Sequence, residues 1–130
     1  MVAARFELDD RGAAGVDGWS PGFDRRRLRA LRRGEIAPDR EIDLHGMTRT
    51  AARRALGAEL RAALAAGERC VLVVHGRGNR SESGPVLREA LPAWLAEEPH
   101  QGAVLAFAAA EDRRGGATYV LLRRDRAVNT

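Results

Sequence analysis

No polar residue interrupts the run Cys70-Val71-Leu72-Val73-Val74, the pattern of a β-strand covered on both faces. Upstream of it, Ala52, Leu56, Leu60 and Leu64 recur every four residues and predict an amphipathic helix, with Thr48 as its N-cap and Gly67 as its stop. Before that helix, Glu41-Ile42-Asp43-Leu44 alternates, so Ile42 and Leu44 take one side of a strand while Asp43 and His45 share the other. Strand, helix and strand make a βαβ unit, and most of the remaining chain must be organised around it.

Gly84-Pro85 signals a second helix, whose buried side is Val86, Leu87, Ala90, Leu91, Trp94 and Leu95, with Pro92 expected to kink it. Two more strands follow, Ala103 to Ala108 and Ala117 to Arg123, joined by the charged turn Glu111 to Gly116. The predicted order is β-α-β-α-β-β, an α/β fold with a mixed sheet. Residues 1–22 lack sustained periodicity and read as a flexible arm, and residues 23–39 as a basic extension with a short helix docked by Leu28 and Leu31. Residues 125–130 read as a tail. A chain of 130 residues is most simply one domain, large enough to bury about two-thirds of its unfolded surface.

Cys70 is the only cysteine, which excludes an intrachain disulfide and a cysteine-based zinc site. The apolar runs are too short to span a bilayer, and acidic residues follow Met1 too closely for a secretory leader, so a cytoplasmic protein without a membrane partner is expected. There are 22 basic against 18 acidic side chains, and every basic one is arginine. Arginine offers a planar fork to phosphate oxygens, although a GC-rich genome gives the same bias.

Two motifs, Asp43-Leu44-His45-Gly46 and His75-Gly76-Arg77-Gly78-Asn79, each follow a strand of the same βαβ unit. Ligands bind outside the carboxyl ends of such strands, so the reading is a phosphodiester site. His45 and His75 are candidates for proton transfer, one as base and the other as acid, with Asp43 fixing an imidazole tautomer, and the three side chains are expected to converge on one cleft. Gly76 and Gly78 let the backbone approach a phosphate, their amides forming a nest, while Arg77, Asn79, Arg80 and Arg49 supply further contacts. His75 sits at a loop entrance, so its loss should leave folding intact. His100 reads as an exposed loop residue outside the site. No spacing supplies a third metal ligand beside Asp43 and His45.

From Arg40 to Arg124 the sequence resembles the Smr family, the small MutS-related domain. The resemblance rests on Ile42-Asp43-Leu44-His45-Gly46-Met47-Thr48, His75-Gly76-Arg77-Gly78, Gly84-Pro85-Val86-Leu87-Arg88, Leu91-Pro92-Ala93-Trp94-Leu95 and Gly115-Gly116-Ala117-Thr118-Tyr119-Val120, in that order. It bounds a domain at residues 40–124 and implies a two-layer α/β sandwich similar to the C-terminal domain of bacterial translation initiation factor three. It also implies endonuclease activity carried by Asp43, His45 and His75. The family's glycine turn before the last strand is shortened here to Gly115-Gly116-Ala117-Thr118, and no ATP-binding P-loop run is present. The expectation is an endonuclease acting on RNA, with the ribosome as an expected partner, by histidine acid/base catalysis with no required cofactor. Two alternatives stand beside it. One is a non-catalytic module that binds RNA, DNA or the ribosome, and the other is DNA nicking assisted by a divalent ion such as Mg or Mn.

Overall fold

The computed structural model describes residues 6–77, 84–97 and 100–123. Six strands form one sheet: β1 (Glu7–Asp10), β2 (Val16–Trp19), β3 (Arg40–Asp43), β4 (Cys70–Val74), β5 (Val104–Ala109) and β6 (Ala117–Leu122), in the order β1-β2-β5-β6-β4-β3. Only β3 and β4 pair in parallel; the other neighbours are antiparallel. The helices are α1 (Arg25–Arg32), α2 (Arg49–Ala65) and α3 (Gly84–Leu95). From β3 onward this is the expected β-α-β-α-β-β mixed α/β arrangement.

Helices α2 and α3 cover one face. Ala52, Leu56, Leu60 and Ala63 of α2 and Leu87, Leu91, Trp94 and Leu95 of α3 pack on Ile42, Val71, Val73, Phe107, Val120 and Leu122. Thr48 caps α2 by accepting from the Ala51 amide at 3.2 Å. Its end is closed by Gly67 at φ +73°, whose amide reaches Leu64 O while Glu68 N reaches Ala63 O, satisfying two terminal carbonyls. The opposite face holds Cys70, Leu72, Ala106, Tyr119 and Leu121 beneath Leu28 and Leu31 of α1. Strand β4 is therefore buried on both sides, which is why it carries no alternation.

The expectation of a flexible arm over residues 1–22 is corrected from Phe6 onward by β1 and β2, a hairpin that extends the sheet beyond β5; residues 1–5 lie outside the described residues. Long-range contacts hold it. Phe6 meets Phe107 edge to face at 5.3 Å, and Gly18 sits against the Phe107 ring tip, where any Cβ would collide. The Asp17 carboxylate is fully buried and accepts from Arg32 Nη2 (2.6 Å) and Nε (2.9 Å), the Ala109 amide (2.8 Å) and Arg11 Nη1 (3.1 Å). One side chain thus ties the hairpin to α1 and β5.

Candidate functional site

The parallel register Asp43↔Val74 brings the carboxyl ends of β3 and β4 together, and Leu44 N donates to Val74 O at 2.7 Å. Beyond this bond both chains turn at glycines, Gly46 at φ +80° and Gly76 at φ +86°. A Cβ on Gly76 would stand 3.7 Å from that of His45, so the two motifs do meet in space.

Asp43 and His45 share a side, as the alternation predicts. Asp43 Oδ1 accepts from the His45 amide at 3.1 Å and lies 2.6 Å from His45 Nδ1. A carboxylate only accepts, so Nδ1 carries the proton and Nε2 is the basic nitrogen left to solvent. Both side chains are more than half exposed, at 52% and 67%. The same bond holds the Asp43 carboxyl below the usual carboxylate range and raises the His45 imidazole above its ordinary value. This is an oriented base open to a ligand.

His75 takes the other face, which corrects the expectation that all three side chains converge. It follows Val71 and Val73 in alternation, beneath α3, and is 1% exposed. Its Nδ1 lies 3.0 Å from Gly76 O and its Nε2 3.0 Å from Thr118 Oγ1. The carbonyl only accepts, so Nδ1 donates and Nε2 accepts the threonine hydroxyl in the neutral ring. Burial pushes its pKa down, and the Arg88 charge adds to this against the Gly76 carbonyl. His75 therefore fixes the glycine loop from below.

The expected anion nest is corrected as well at its first position. The amides of His75 and Gly76 both donate to Gly116 O at 3.0 Å, so Gly76 N is not aimed at a ligand. The pairing joins the histidine loop to the shortened glycine turn, with the stem of Arg77 lying over Gly116 and its side chain exposed. Gly78, Asn79 and Arg80 lie outside the described residues. Arg49 is exposed on the first turn of α2, where it lines a groove between α2 and α3. His100 lines that groove too. It is partly buried in a short 3₁₀ turn, His100–Gly102, and not in an exposed loop. The one sequence signal for it was Gly57, a glycine inside α2 against which His100 rests.

Among the described residues no group of three or more His, Cys, Asp or Glu side chains is placed to hold a metal ion. No described helix is long and apolar enough to cross a membrane.

Residues 42–123 match the Smr domain family. The ribosome rescue factor SmrB of Yersinia enterocolitica is 38% identical over 102 residues, covering 78% of this chain and 53% of that protein. SmrB of Escherichia coli O157:H7 is 36% identical over 102 residues, covering 78% and 51%. The chain spans about half the length of these curated relatives. The crystal structure of YdaL, a stand-alone small MutS-related protein from Escherichia coli, matches with a TM-score of 0.65 at 26% identity, over 82% of each chain.

Proposed function

Since the chain belongs to the Smr domain family, we propose that it is an endonuclease that cleaves RNA at the Asp43–His45 dyad, in the cytoplasm and on ribosome-associated substrates. The observation that carries this reading is the exposed 2.6 Å contact between Asp43 Oδ1 and His45 Nδ1 at the meeting point of two parallel strand ends. His45 Nε2 takes the proton of a ribose 2′-hydroxyl; the 2′-oxygen bonds to phosphorus, and the bond to the 5′-oxygen breaks, that oxygen taking a proton from solvent. Asp43 holds the tautomer and stabilises the imidazolium. His75 is a positioning residue that sets the Gly76 turn, and Arg77 supplies charge to the phosphate. The relatives named as ribosome rescue factors support ribosome-bound RNA as the substrate class.

A second reading, a non-catalytic RNA-, DNA- or ribosome-binding module, draws support from the position of His75, which leaves His45 as the only described histidine in the cleft. For metal-assisted DNA nicking, Asp43 and His45 alone among the described residues fall short of the donors that hold an ion, and no step is assigned to one.

Purified chain is incubated with labelled RNA and DNA, with and without chelator, and the end groups are identified. The expected products are a 2′,3′-cyclic phosphate and a 5′-hydroxyl from RNA, absent with His45→Ala and when the ribose at the cut is 2′-deoxy. Cleavage of the deoxy strand at full rate only with added metal would overturn the mechanism. Binding without cleavage would establish the module.

A further inference from the structure

A groove of about 570 Å³ runs between α2 and α3. Arg49, Arg53, Arg54 and Arg61 of α2 line it, with Glu97 and His100 on the opposite rim. Arg53 is held by Glu97 through a two-pronged pair at 2.8 and 3.1 Å. Arg49, Arg54 and Arg61 have no carboxylate partner among the described residues. Among the described residues four arginines thus face one glutamate, a positive concavity on a chain whose net charge is only +4.

Its floor is specific. Gly57 stands inside a helix, where glycine is the least favourable residue after proline. A Cβ there would lie 3.4 Å from Arg61 Nη1 and 3.6 Å from His100 Nε2, so a guanidinium and an imidazole converge over the space that the glycine leaves open. Burial keeps the His100 pKa low; the Arg61 and Arg53 charges add to this, and Glu97 opposes it. An anion seated between them would reverse that balance. From Arg49 to Arg61 the helix runs about 18 Å, and it starts four residues after His45.

We infer that this groove binds the sugar-phosphate backbone of a single-stranded polynucleotide, held along α2 by Arg49, Arg54 and Arg61. The inference deepens the RNA-cleavage reading and rests on it for the choice of a polynucleotide. A groove of this volume takes a few linked groups at a time, which suits one extended strand. Arginine forks spaced along a helix suit a regular polyanion, because each can grip successive phosphate oxygens in two-pronged fashion.

The test uses the full chain carrying His45→Ala, so that binding is read without cleavage and the groove can fail or stand apart from the catalytic reading. A fluorescein-labelled 12-nucleotide single-stranded RNA, the same DNA sequence and a polyglutamate peptide are titrated by anisotropy over a salt series. Added Arg54→Ala and Arg61→Ala together should weaken both nucleic acids about tenfold and lower the salt slope by about 1.4, at roughly 0.7 per phosphate contact. Gly57→Ala fills the floor while favouring the helix, so a severalfold weaker affinity with undiminished thermal stability cannot be misfolding. In NMR titrations the His100 pKa should rise when RNA is added. Unchanged affinity and salt slope in both variants would overturn the proposal. So would polyglutamate binding as tightly as RNA and losing affinity equally, which would make the groove a site for an acidic protein.

Discussion

His75 Nε2 lies 3.0 Å from the Thr118 hydroxyl, inside the core beneath α3 and across the sheet from the Asp43 carboxylate. The bond joins β6 to the loop that leaves β4, and the ring's other nitrogen grips Gly76 O. The histidine is therefore a structural member of the core, contrary to the expectation that its loss leaves folding intact. His75→Ala should empty a packed position and strand the threonine hydroxyl, costing about 2–4 kcal/mol. Thr118→Val keeps the shape and removes the bond, costing about 1–3 kcal/mol. Urea denaturation of both variants measures this; wild-type stability for His75→Ala would reject it.

The direction of His75 shows where the sequence was legible and where it was not. In β3 the alternation Ile42, Asp43, Leu44, His45 fixed which residues share a side, because that strand has one buried face. In β4 every residue from Cys70 to Val73 is buried, so no polar position marks its parity, and only the register Ile42↔Val73 reveals that His75 falls with Leu44 and not with His45. The Thr48 cap, the Gly67 stop and the Gly84 helix start were local signals and were readable for that reason. The β1–β2 hairpin was not: Glu7-Leu8-Asp9-Asp10 has one apolar side chain, which is 55% exposed, and Asp17-Gly18 has poor strand propensity. Phe107, Arg32 and Ala109, some 15 to 92 positions away, supply what the local sequence lacks.

Asp17 is the clearest case of such long-range support. Its carboxylate is 0% exposed and takes four hydrogen bonds, two of them from Arg32. Asp17→Ala leaves two partly buried guanidinium groups and the Ala109 amide without their acceptor, a loss of about 3–5 kcal/mol. Hydrogen exchange should show the amides of β2 and of the facing β5 segment losing protection first. Retention of wild-type protection there would mean that Phe6, Gly18 and Trp19 suffice to hold the hairpin.

Stability should fall on mild acidification. Burial lowers the pKa of His75 and His100 in the folded chain, so the unfolded chain binds more protons as pH falls below about 6.5. Their contribution is complete above the unfolded value and is lost as pH falls through the folded ones. His45 has the opposite sign, its pKa being raised, but it is exposed and carries little weight. Asp39 and Asp43, both lowered, act only below about pH 4. Unfolding free energies measured between pH 7.5 and 5 should therefore decline, with a shallower slope in His75→Asn. Equal slopes would show that His75 is not held neutral.

The catalytic reading makes a distinct demand on the pH dependence of RNA cleavage. A base acts only when unprotonated, so the rate should rise with pH and level off above the pKa of His45, which the Asp43 carboxylate sets higher than that of a free imidazole. His75 is buried, neutral and on the other face, so it should contribute no descending limb. In Asp43→Asn the carboxylate no longer stabilises the imidazolium, and the midpoint should move to lower pH. The rate should fall as well, because an amide can donate to Nδ1 and favour the tautomer that puts the proton on Nε2. His45→Ala should cost on the order of 10² to 10⁴ in rate, with stability unchanged because the side chain is exposed. A bell-shaped profile whose descending limb vanishes in His75→Asn would restore the two-histidine mechanism. A midpoint unmoved by Asp43→Asn would remove the dyad from the reaction.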